Sequence, residues 1–173
     1  LTGNAGTVAG TNFIGTTDNS PLTFKINNVT SGRVSATGAV FLGYQAGQNS
    51  FWSSNTGLGF NTLFSNTSGD YSTATGYKAL FSNTSGDQNT AVGAESLRDN
   101  TAGAENVAIG YHALLSNTFG NHNVATGNTA LLRNTTGGEN TASGYSALID
   151  NITGDGNTAF GYSSLNSNDS GSG

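Results

Sequence analysis

The side chains able to do chemistry in this sequence are few, and their spacing does not organise them. His112 and His122 are the only imidazoles, and the chain has no cysteine. A histidine pair among carboxylates is raw material for a metal centre. No carboxylate stands at a recognised ligand spacing from either one, and both read as solvated loop histidines. No Ser/His/Asp or Cys/His frame exists from which a nucleophile would be activated. Asp70, Asp87 and Asp155 each follow a glycine. Repeated Gly-Asp is a feature of calcium-binding nonapeptide rolls, but their full Gly-Gly-x-Gly-x-Asp frame is missing, so these three are read as turn residues. Glu95, Asp99 and Glu105 lie close in sequence around Arg98. Two fixed acids across a cleft are what glycoside hydrolysis needs; a charged, solvated face is the plainer reading. The sequence therefore assigns no catalytic residue, no metal ligand and no cofactor, leaves ligand-binding residues unassigned, and points away from an enzyme.

Composition narrows the partners. Charged residues make up 9% of the 173, with a formal net charge of −5. The basic residues Lys25, Arg33, Lys78, Arg98 and Arg133 are scattered, so no basic stripe is available to neutralise a phosphate backbone, and nucleic acid is not an expected partner. No apolar run approaches the ~20 residues of a membrane helix, so direct membrane insertion is not expected of this segment. No signal peptide is visible at Leu1, and the expectation is that the segment belongs to a longer chain.

What must position any functional side chain is a repeat. From Asn55 the chain divides without insertion into seven units of 17 residues, starting at Asn55, Ser72, Asn89, Asn106, Asn123, Asn140 and Asn157. A looser, shorter copy runs from Ala39 to Ser54. The fifth and fifteenth positions are always Gly, the ninth always Leu and the twelfth always Asn; the third is Ala except at Gly57. Such a unit is too short for the paired helices of ankyrin or tetratricopeptide repeats, and its glycines would cost ~1 kcal/mol each inside helices. Two short strands and two turns per coil are expected: one strand over Asn-Thr-Ala-x-Gly (89–93), a second around Ala-Leu-x-x-Asn (113–117), and a turn at Asn-Thr-x-Gly (83–86) whose glycine is free to take positive φ. The third-position Ala points into a thin interior, while positions two and four point the other way. The Asn66 to Asn168 column reads as a ladder of turn side chains. Apolar groups facing two directions exceed what one thin roll buries, so self-association is expected.

Asn106-Val107-Ala108-Ile109-Gly110, followed by Tyr111-His112-Ala113-Leu114, resembles the head repeat of YadA-like trimeric autotransporter adhesins, and related repeats in bacterial surface and phage tail-fibre-like proteins. The resemblance covers about residues 39–168. It implies an all-β fold: a left-handed parallel β-roll, or solenoid, of 17-residue coils, intertwined as a homotrimer in an extracellular or virion fibre, with attachment to a cell-surface glycan or protein receptor as its activity. The unit here is longer than the usual coil of that family, and Thr often replaces the first apolar residue of the motif.

Residues 1–38 differ in kind and are expected to form a small β-meander that caps the roll, with Leu22, Phe24 and Ile26 on a half-buried strand and a turn at Ser31-Gly32. Residues 169–173 are expected to be a linker. Other columns keep alternatives open. Position six holds Phe60, Tyr77, Tyr111, Tyr145 and Tyr162, which would fill the roll or its seam, or stack on sugars if exposed. The threonine column Thr67, Thr84, Thr101, Thr118 and Thr135 motivates an alternative, a monomeric ice-binding solenoid. Glu95 and Asp99 motivate another, a carbohydrate-active tailspike. Six glycosylation sequons, at Asn28, Asn66, Asn83, Asn134, Asn151 and Asn168, follow mostly from repeat phase and carry little weight.

Overall fold

The computed structural model describes residues 15–51 and 53–173, and it is all-β, with no helix among them. Ten strands run in chain order through one sheet: β1 (Leu22–Ile26), β2 (Val29–Val34), β3 (Val40–Leu42), β4 (Thr56–Leu58), β5 (Thr73–Thr75), β6 (Thr90–Val92), β7 (Val107–Ile109), β8 (Val124–Thr126), β9 (Thr141–Ser143) and β10 (Thr158–Phe160). From β3 onward every pairing is parallel and in register by one repeat, so Ala91 faces Ala108 and Ala108 faces Ala125. The chain is thus a β-solenoid whose coils stack position upon position.

The expected second strand is absent. Over 113–117 and its equivalents the backbone turns continuously instead of extending. The reason lies in φ: Leu114 sits at 53° and His112 at 55°, and every coil repeats positive φ at positions seven and nine. A branched side chain in that left-handed region costs ~1–2 kcal/mol. Leu114 is fully buried, and burying a leucine returns about 1.5–3 kcal/mol. The turn is held by packing against an otherwise unfavourable backbone. Outside the strands, hydrogen bonds still join coil to coil, as Leu114 N to Ala130 O at 2.9 Å and His112 N to Ala94 O at 3.1 Å.

The two glycine columns serve different ends. Gly110 has φ of 139°, and a Cβ there would lie 2.5 Å from Gly127 O, so both conformation and close approach require it. The fifteenth-position glycine, expected to take positive φ, does not. At Gly120 a Cβ would meet Gly137 O at 2.3 Å and Asn117 Oδ1 at 2.5 Å; the requirement there is room alone.

That room is taken by two buried asparagine columns. At position twelve, Asn117 Nδ2 donates to Asn100 Oδ1 at 2.8 Å and to Gly120 O at 2.9 Å, and Asn134 repeats the arrangement on Asn117 and Gly137. At position one, Asn123 Nδ2 donates to Asn106 Oδ1 at 3.1 Å and to Gly137 O at 2.8 Å. The first column is the ladder expected from sequence; the second is a further one. Each amide satisfies polar groups that no water reaches, where leaving them unpaired would be costly.

The N-terminal end departs from the repeat and closes it. Phe41 takes the place of the third-position Ala, and its ring fills the space where Leu would stand: a Cβ on Gly47, at the leucine position, would lie 2.5 Å from that ring. Gly57, the one exception in the alanine column, makes room from the next coil, its Cβ position being 2.7 Å from Phe41 Cδ1. Arg33 lies over Phe41 and Phe51 at 5.0 and 5.1 Å from the ring centroids. Its Nη2 donates to Gly47 O at 3.0 Å and also to Ser50 O. The β1–β2 hairpin extends the sheet through β2, which pairs antiparallel with β3; residues 1–14 of the expected cap lie outside the described residues. Its turn is at Asn27-Asn28, both at positive φ, and Ser31-Gly32 runs within β2. Two left-handed residues in succession suit a tight hairpin, for which Asn is well adapted. At the other end, residues 169–173 complete the seventh coil: Ile152 N donates to Asp169 O at 2.8 Å, and Asn157 Nδ2 to Gly171 O at 2.6 Å.

Candidate functional site

The surface most unlike ordinary exterior is the outer face of the parallel sheet. Alternation sends Ala108 inward from β7 and Val107 and Ile109 outward. Stacking in register turns these outward residues into two straight columns, at positions two and four. A third, at position six, stands beside them. Through all coils the three columns contain no charged residue. They mix Thr and Val at position two with Leu58, Val92, Ile109 and Phe160 at position four, all four classed as exposed. Ile109 retains 42% of its accessible surface. The aromatic column is outside the roll, not within it. Tyr44, Phe60 and Tyr77 stack at 5.5 Å centroid spacing and Tyr145 stacks on Tyr162 at 5.3 Å; Ala94 and Asn128 interrupt the row.

The residues singled out for chemistry fall elsewhere, and the coil register explains their neighbours. Glu95 and His112 occupy one column a repeat apart, with Glu95 Oε2 3.3 Å from His112 Nε2; Glu105 and His122 do the same at 3.4 Å, and Arg133 pairs with Asp150 at 3.1 Å. Spacing of 17 residues, read down columns, was the signal that would have found these pairs. Arg98 grips Asp99 through two nitrogens at 2.7 and 2.8 Å and Glu95 at 2.7 Å. Those bonds, to Asp99 first and then to Glu95, push the guanidinium above its ordinary value. The two acids proposed for a hydrolytic pair thus share one cation. His122 borders a hollow of about 460 Å³ with Glu139 and Asp155. Among the described residues no three His, Cys, Asp or Glu gather to hold a metal.

The aspartates after glycine are turn residues, as read. Asp155 Oδ1 accepts Gly138 N at 2.7 Å and Asp87 Oδ1 accepts Asp70 N at 2.8 Å, each reaching the preceding coil. The threonine column is also committed along the stack: Thr84, Thr101 and Thr118 donate their hydroxyls to the carbonyl of the same position one coil on, at 2.9–3.0 Å. A hydroxyl so engaged is not free to donate to an ice lattice. Of the sequons, Asn66, Asn83, Asn134 and Asn151 are buried in the ladder, while Asn28 is exposed in the hairpin turn. Comparison with protein-family models, curated proteins and solved structures returns no match.

Proposed function

We propose that this segment is a structural and adhesive part of an extracellular trimeric fibre, in which three copies wind left-handed and pack their outer sheet faces around a common axis. The role is non-catalytic: the rod holds and multiplies attachment to a cell-surface glycan or protein receptor. The observation that carries this reading is the charge-free, partly apolar face running the length of the solenoid. Side chains at a threefold axis meet their own copies, where like charges repel, and interface centres are depleted of charge in general. The acids and bases of the coils occupy positions seven, ten, eleven, thirteen, sixteen and seventeen; those at position seven border the face, with Lys78 5.2 Å from the Tyr77 ring and His112 stacked on Tyr111. A trimer also multiplies weak attachment, since three linked sites engage a surface together. Light scattering across a dilution series tests the assembly: a mass of three chains supports it, and a 17.5 kDa species at every concentration overturns it.

A further inference from the structure

We infer that the β1–β2 hairpin is the clasp of the assembly, ordered by the packing of second and third copies of this chain against it. The inference rests on the reading of the outer sheet face as a seam. Into the hairpin the same alternation continues as far as a bulge after Phe24: Leu22 pairs with Val34 and Val34 with Val40, while Phe24 pairs with Gly32 and Gly32 with Leu42. The outward columns of the coils therefore run on through the cap and remain uncharged there. Gly32 lets Phe24 and Leu42 close over it, a Cβ at that place meeting them at 3.1 and 3.2 Å. The cap rungs are apolar in succession, whereas lower rungs such as Thr73/Thr75 and Thr141/Ser143 are polar.

The hairpin also needs the cover more than any coil does. Four of the five residues of β1 are exposed in the single chain, with Phe24 at 47%. A coil is tied to its neighbours by buried amide columns and by leucine. Among the described residues β1 is tied to the sheet only through its pairing with β2, as the edge strand, and an edge strand leaves one side unpaired. Second copies are the occupant that fits, because the hairpin's outward residues are the direct extension of the columns those copies meet lower down.

Two measurements on the whole chain test this. Amide exchange is compared above and below the dissociation concentration: residues 22–34 are expected to exchange at least about tenfold faster in the dissociated chain, with β5 to β9 changing less than about threefold. Equal protection of the hairpin in both states overturns the clasp. The triple variant Phe24→Thr, Val34→Thr, Leu42→Thr uses a residue the chain already carries in these columns, as at Thr73 and Thr75. It is expected to dissociate at a concentration about a hundredfold higher or more, with the coil signal in circular dichroism retained. Should the triple variant lose that signal, Phe24→Thr alone carries the test with a shift of about tenfold. Dissociation at the parent's concentration overturns the clasp and leaves the seam standing. A parent chain that is monomeric throughout removes both.

Discussion

One strand shows two kinds of constraint on its two faces. Inward from β7, Ala108 has no accessible surface, and its column admits only Ala, Gly and Phe. Outward, Val107 and Ile109 belong to columns that wander among Thr, Val, Leu, Ile, Ser and Phe. The inner face is set by volume: any change is met by an atom already in place, as Phe41 is accommodated only because Gly47 and Gly57 give way. The outer face is set by the absence of charge, a looser rule that fits a surface closed by another molecule rather than by its own next coil. Size is the variable within the chain, and neutrality is the variable proposed between chains.

Four substitutions break or sharpen this contrast, in falling order of effect on the single stack of coils. Gly120→Ala places a methyl 2.3 Å from the Gly137 carbonyl, and the expected loss exceeds about 4 kcal/mol. Urea unfolding should show no native baseline or two separated transitions where the stack is cut. Asn117→Ala removes an amide that bridges Asn100 and Gly120 and accepts from Asn134. The cost is about 2–4 kcal/mol in the same experiment, and a value under 1 kcal/mol would mean the amide ladder does not stabilise the stack. Ile109→Asp puts a charge on the outer face. The isolated coils should lose about 1 kcal/mol or less, while sedimentation shows the assembly dissociated; an unchanged sedimentation coefficient would remove this face as the seam. Arg133→Ala breaks an ion pair in which both side chains are largely exposed, and a change under about 1 kcal/mol is expected in thermal unfolding.

Much of the solenoid was legible from the sequence because each coil repeats the same geometric demand. The invariant Gly, Leu and Asn marked the period, and the alanine column marked the inner face. The turn built on positive φ at positions seven and nine was not legible. Residues such as Lys78, Glu95, His112 and Thr129 share positive φ with nothing in their chemistry to announce it. At these positions the leucine two residues on is buried and shares the positive φ. The missing second strand follows from the same cause, since Ala-Leu-x-x-Asn looks like a strand until its leucine is known to turn. The role of the fifteenth glycine was misread because positive φ and lack of space leave the same mark on a sequence. At the candidate site, neutrality of three outward columns was visible in the letters, but which columns point outward together required the register.

The asparagine columns have a mechanical consequence. Each amide at position twelve donates to the coil before it, so the bonds point the same way and lie along the rod. A pull between the ends loads them one behind another, and the coil at an open end, with a neighbour on one side only, yields first. Each coil released adds 17 residues of free chain, about 60 Å of contour. A tether built this way lengthens in equal steps under load instead of failing at once, and each step leaves the remaining stack with a fresh end identical to the last.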